Sequence, residues 1–259
     1  MEEYVLICED TIEGILTGVY EAYQLKKETG IESHNMIHLA VKEPDMMRLF
    51  THYDNIKTDN DKACKVMNTI KRQLGDDTYY QLCLAMMSDF EEKADAVYHT
   101  IVLGLKMHDR CVMDRLYDYY VNKAFSYSRA AGNELHHFKE FLRFAELENG
   151  ILYARINAKH NILSFLMPHF ADRLPADNFV IYDGVSKTFG LHPIYKQWYL
   201  VSGMDIDEDS LVYSSMEKEY QELFKGFCSS IAIESRVNPK LQMNMLPLRF
   251  RPDMTEFKS

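Results

Sequence analysis

A chain of 259 residues, 47% hydrophobic and 26% charged, can bury one sizeable core or two modest ones, and this balance excludes intrinsic disorder. No stretch approaches the roughly 20 uncharged apolar residues of a membrane helix, and the opening MEEYVLICED lacks a signal-like basic and apolar run, so a cytoplasmic protein without membrane attachment is expected. A net charge of −10 repels nucleic acid and anionic lipid at long range except where base is concentrated, as Lys225, Arg236, Lys240, Arg249, Arg251 and Lys258 are, set against Glu234, Asp253 and Glu256.

YVLIC suits a first strand. Asp10 and Glu13 have capping-box spacing, and Ile12, Ile15, Leu16, Val19, Tyr20 and Tyr23 continue a helix over about 11–27. Residues 28–58 show no decisive period, although IHLAV has the makings of a short strand. Helices follow from Asp59 to Gly75 and through Tyr79–Met86. Another is expected from the Ser88/Glu91 capping spacing to about Leu105, and one from Val112 that stops by Gly132. Asn133 then caps a helix ending at Asn149-Gly150.

Beyond Gly150 the period changes to two, and ILYARI (151–156), NFVIYD (178–183), TFGLH (188–192) and WYLVS (198–202) read as strands. Asp183-Gly184 turns the second into the third. The segment between the first two strands is helical, with Pro168 either kinking it or starting a new helix. A long helix covers 211–227, followed by a tail with too many prolines for a regular element. The expected fold is α+β, a helix-rich N-terminal half followed by a small, mainly antiparallel sheet with packed helices, divided as 1–84 and 85–259.

Cys8, Cys64, Cys83, Cys111 and Cys228 stand far apart with no C-x-x-C pair, which suits reduced, mostly buried thiols. Local signatures of dinucleotide, P-loop, zinc-protease, serine-hydrolase and iron–sulfur chemistry are missing, so neither a metal nor a cofactor is indicated. His34 and His38 are four apart, but on a segment without helical pattern this reads as loop spacing.

In ILYARIN, alternation sends Leu152, Ala154 and Ile156 to one face and Tyr153 and Arg155 to the other. An aromatic ring beside a guanidinium can stack a base and pair a phosphate; the alternative is a structural Arg155 bridging to Glu146 or Asp183 over a packed Tyr153. His160 and Asn161 sit where a helix begins, while His169 and His192 lie at element ends. Together with Asp183 these histidines are candidates for acid–base work, or else for capping.

The run HHFKEFLRFAELENGILYARINAKHNILSFLMPHFADRLPADNFVIYDGVSKTFGLHPIYKQWYLV (136–201), with ICEDTIEGILTGVYEAY, TDNDKACKVMNTI and SIAIESRVNPKLQMNMLPLRFRPDMTEF, resembles a bacterial family connected with DNA metabolism or DNA repair. Its members are encoded beside a radical-SAM DNA modification or repair protein, and some relatives carry a fused uracil-DNA-glycosylase-like domain. The resemblance implies DNA or single-stranded nucleic acid and a radical-SAM protein as partners. It adds Arg143, Asn161 and Arg173 to Tyr153 and Arg155 as candidate nucleic-acid contacts. Three readings are carried forward: a nucleic-acid-binding or accessory protein, an enzyme acting on a nucleobase or nucleotide through His160, His169, His192 and Asp183, and a protein-interaction module that uses the acidic segment 205–210.

Overall fold

The apolar run near the N-terminus becomes the middle strand of a sheet. In the computed structural model, which describes residues 3–257 except 32, 45, 208 and 209, β1 (Glu3–Cys8) pairs in parallel with β2 (Ile37–Ala40) on one side and β3 (Thr51–Ile56) on the other. The two outer strands come from the segment without a decisive period. IHLAV indicated β2; β3 is only partly buried, which is why periodicity did not mark it. Alternation along β1 and β2 puts Leu6, Cys8 and Leu39 against α1 (Ile12–Thr29). The approach is close: a Cβ on Gly18 would lie 2.1 Å from Cys8 Sγ and 3.3 Å from Leu39 Cδ2, so glycine is needed there.

Val5, His38 and Tyr53 form a row on the opposite face of this sheet. Because β2 and β3 are parallel and flank β1, the connection 41–50 has to run back past the sheet to reach the start of β3. Four helices complete this unit's framework: α2 (Asn60–Leu74), α3 (Asp76–Met86), α4 (Lys93–Met107) and the beginning of α5 (Tyr119–Phe141). Asp59 caps α2 by accepting from the Asp61 and Lys62 amides, and Gly75 separates α2 from α3 with φ 94°.

Several expected boundaries move. Thr11 rather than Asp10 caps α1. Ser88 does not cap α4; its hydroxyl donates to Ala85 O, and its carbonyl accepts from the buried Lys93, which also pairs with Asp10. The helix expected from Val112 is a 3-10 turn at Val112–Asp114, and α5 begins at Tyr119. Gly132 does not stop α5, since the buried Ala131, Leu135 and Phe138 keep one apolar stripe through it. Such burial offsets the roughly 1 kcal/mol cost of a helical glycine.

The chain divides into two compact units, Met1–Gly132 and Asn133–Ser259. The expected division after residue 84 falls inside α3, in the first unit. Sheet two, in the second unit, has the order β4-β5-β6-β7-β8, with β4 (Ala145–Glu146), β5 (Leu152–Ile156), β6 (Phe179–Asp183), β7 (Thr188–His192) and β8 (Tyr199–Ser202). Only β5–β6 is parallel, joined by α6 (Leu163–Arg173). The fold is therefore α+β with a mainly antiparallel sheet. Pro168 lies inside α6 on its exposed side. α7 (Ser215–Ser230) starts after a Ser214 cap. The proline-rich tail does hold a short helix, α8 (Pro239–Met245), capped by Asn238 with Pro239 in the first turn, where its missing N–H costs nothing.

Among the described residues no helix is long and apolar enough to cross a membrane. All five cysteines are free; Cys8 and Cys83 are buried, whereas Cys64 and Cys111 are exposed, contrary to the expectation that most would be buried.

Candidate functional site

The residues singled out in the sequence fall in the second unit, where most serve the fold. Tyr153 is 6% exposed and packs with Tyr182 and Phe189, beneath Leu147, Val201, Ile206 and Leu211. The strand face expected to display it is thus covered. Arg155 is half-buried, its Nη2 donating to Asn157 Oδ1 at 3.3 Å. Of its suggested acidic neighbours, Glu146 accepts from Ser214 Oγ, and Asp183 accepts from the Ala158 and Val185 amides and from Ser186 Oγ. Arg143 pairs with Glu256 at 3.0 Å, Asn161 is exposed, and Arg173 is exposed at the end of α6.

His160 is buried, and its amide, with that of Lys159, donates to Glu134 (2.8 and 3.1 Å). Glu134 is 1% exposed and also meets Arg249, one of the basic tail residues. Lys258, another, lies outside the described residues, as do Glu208 and Asp209 of the acidic segment. His192 stacks on Phe179 and has Nδ1 3.1 Å from Asp177 O. His169 meets the edge of Phe170, and the rings of Phe170, Phe144 and Phe179 run in succession from it to His192.

A different set of polar side chains converges in the first unit. His38 of β2, Asp95 and His99 of α4 present ligand atoms that all lie within 4.8 Å of one another, the one such group among the described residues. His38 Nδ1 is 3.1 Å from Asp95 Oδ2, and His99 Nε2 is 3.4 Å from Asp95 Oδ1. Asp95 and His99 are one helical turn apart on α4, so their side chains leave the same face. The Leu39 amide, on β2 at the edge of the sheet among the described residues, donates to Asp95 Oδ1 at 3.2 Å and fixes the carboxylate.

Burial by itself would raise the Asp95 carboxyl, but the pull of His38 and His99 outweighs it and holds the group at about 2. The hydrogen bond to Asp95 raises His38 above the ordinary histidine value, against the effects of burial and of Arg48.

Two cavities open on this pair. One of about 380 Å³ lies between the Val5–His38–Tyr53 row and the 41–50 connection, with Lys42, Arg48, Glu91, Glu92 and Asp95 in its wall. Its neighbour, about 160 Å³, shares His38, Arg48, Glu92 and Asp95 and adds Tyr119, Tyr120 and Lys123. Tyr119 is 61% exposed, with Lys123 Nζ 4.4 Å from its ring centre, and Lys123 is paired with Glu92.

The profile of a domain of unknown function, DUF4130, matches residues 91–256, more than half of the chain. The chain belongs to the DUF4130 family. No curated protein matches it. In this DUF4130 protein the matched region contains Asp95, His99, Tyr119 and Lys123, whereas His38 comes from β2 and Arg48 from the connection between β2 and β3 that precede it. The site is thus completed by residues on both sides of the start of the match. One sequence signal pointed there without being read: an Asp-x-x-x-His spacing on a helix whose other face carries Ala94, Val97, Tyr98 and Ile101. His38 could be connected with it only by the fold, and its spacing from His34 is incidental, since His34 bonds Tyr98 instead.

Proposed function

We propose that this protein serves nucleic-acid metabolism by taking a nucleotide or a single-stranded end into the cleft over His38 and Asp95. The observation that carries the reading is the meeting of both cavities on one histidine–carboxylate pair whose surroundings include an exposed ring, Tyr119, and the cations Lys42, Arg48 and Lys123. Rings stack bases and cations meet phosphates, while a histidine polarised by a carboxylate can exchange a proton with a bound group. The resemblance to DNA-metabolism proteins supports the same substrate class, while the meeting of the two cavities on His38 and Asp95 favours the first unit over His160, His169, His192 and Asp183 as the site. Fluorescence anisotropy with a labelled single-stranded oligonucleotide and with a labelled mononucleotide, at low salt, is the test. Tyr119→Ala is expected to weaken binding by about 1–3 kcal/mol, the usual worth of one stacked base, and Arg155→Ala to leave it unchanged. Failure of both probes to bind ends the reading.

Docking on a radical-SAM protein is a second reading. It is supported by α7, on which Met216, Tyr220, Leu223 and Phe227 are 57%, 60%, 68% and 56% exposed. Co-purification of the two proteins from a common host, lost on Leu223→Asp, tests it.

A further inference from the structure

We propose that His38, Asp95 and His99 bind a divalent first-row transition-metal ion, and that this ion is what lets an acidic cleft receive a phosphate. Two imidazoles and a carboxylate are a donor set suited to zinc, iron(II) or manganese(II) rather than to calcium or magnesium, which favour oxygen alone. With bonds of about 2.0–2.2 Å, a tetrahedral or octahedral ion separates its ligand atoms by roughly 2.8–3.6 Å. With Asp95 Oδ1 as the one carboxylate donor, the His38–Asp95 and His99–Asp95 separations, 3.2 and 3.4 Å, already have these lengths. Only the third edge, at up to 4.8 Å, has to shorten on binding.

His99 supplies an independent observation. Its side chain is 5% exposed, yet Nε2 lies in the cluster with no hydrogen-bond partner, its contact with Asp95 lacking the alignment of a hydrogen bond. A buried polar nitrogen left in that state costs free energy unless something else coordinates it. The ring is held firmly, stacked on Tyr120 at 4.0 Å, and Asp95 is oriented by the Leu39 amide, so two of the three ligands are set before any ion arrives.

The charge of the cleft points the same way. In the larger cavity Glu43, Glu91, Glu92 and Asp95 outnumber Lys42 and Arg48, a balance that attracts a cation and repels a phosphate. An ion held by the triad, with its remaining positions toward the cavity that His38 and Asp95 line, reverses this locally and offers a bond to a phosphate oxygen. The inference rests on the cleft being a ligand site, but it needs no nucleic acid for its test.

The full chain, stripped with a chelator and freed of it by gel filtration, is titrated by calorimetry with Zn²⁺ and with Mn²⁺, and anaerobically with Fe²⁺. One ion per chain is expected, with a rise in melting temperature on binding. Asp95→Asn and His38→Gln should each abolish stoichiometric binding, and His136→Gln, which alters an exposed histidine beside Glu140, should not. Asp95→Asn keeps the shape of the carboxylate, so it serves where His99→Ala fails to fold. Absence of saturable binding for all three ions, or binding that survives both Asp95→Asn and His38→Gln, overturns the proposal. Metal binding without binding of either the oligonucleotide or the mononucleotide would leave the ion site standing and sink only the nucleic-acid reading.

Discussion

At the scale of single residues, histidines of one chain take opposite roles according to their neighbours. His38, bonded to a carboxylate, is raised; His34, bonded to the Tyr98 hydroxyl at 2.6 Å, is lowered from 6.5 to about 4, by burial first and then by the charges of Lys26 and His99. A neutral His34 accepts from Tyr98, and protonation removes that acceptor. The sign of the consequence follows from linkage: between pH 6.5 and 4 the unfolded chain holds a proton on this residue that the folded chain does not. The stabilising contribution is complete above pH 6.5 and is lost as pH falls towards 4. Denaturant unfolding at pH 7 and pH 5 should show a smaller loss of stability on acidification in His34→Gln than in the parent chain, and the ring should titrate near 4 by NMR. An ordinary midpoint for His34 would refute this account. Buried acids act differently from His38. Glu134 and Asp183 accept the amides of residues 158–160 and 185, closing loops rather than meeting a ligand.

Among elements, legibility followed the strength of the period. The strands of the second unit were readable because Asp183-Gly184 and the alternating runs agree, and β7 spans the expected residues 188–192. In the first unit YVLIC and IHLAV marked β1 and β2, but β3, with only partial burial, was not readable, and neither was the sheet order. Alternation also left Tyr153 open between a displayed and a packed role: it identifies two faces of a strand but cannot show that Ile206 and Leu211 cover the second one. The candidate site was illegible for a related reason, as a strand histidine and a helix aspartate meet only once the sheet order is known. Helix ends offer a cleaner test. α4 closes on His108, exposed and left-handed at φ 51°, ψ 40°, with its N–H bonded to Gly104 O. A side chain there costs about 1 kcal/mol that glycine avoids. His108→Gly is therefore expected to stabilise the protein by up to about 0.6 kcal/mol after the added freedom of the unfolded chain is deducted. Chemical denaturation reads this directly, and a destabilised variant would mean that the imidazole makes a contact outweighing the strain.

For the whole molecule, charge separates two ways of holding nucleic acid. A net charge of −10 gives little long-range attraction for phosphate, and of the basic residues of the tail Arg249 is paired with Glu134. In the cleft, three cations are present, of which Lys123 is already paired with Glu92 and Arg48 approaches Glu3. Each phosphate neutralised on a single strand contributes about −0.7 to the slope of log affinity against log salt, so three contacts set a limit of about −2. Recognition by a ring together with a bound ion or, where no ion is held, with the His38–Asp95 pair is mostly short-range and adds little to that slope. The expected outcome, read by anisotropy over a series of salt concentrations, is a slope no steeper than about −2 that flattens further in Arg48→Ala. A much steeper dependence would require more phosphate contacts than the cleft can make. It would transfer the binding surface to the basic side chains beyond Lys225 and leave the first-unit cleft to a different ligand.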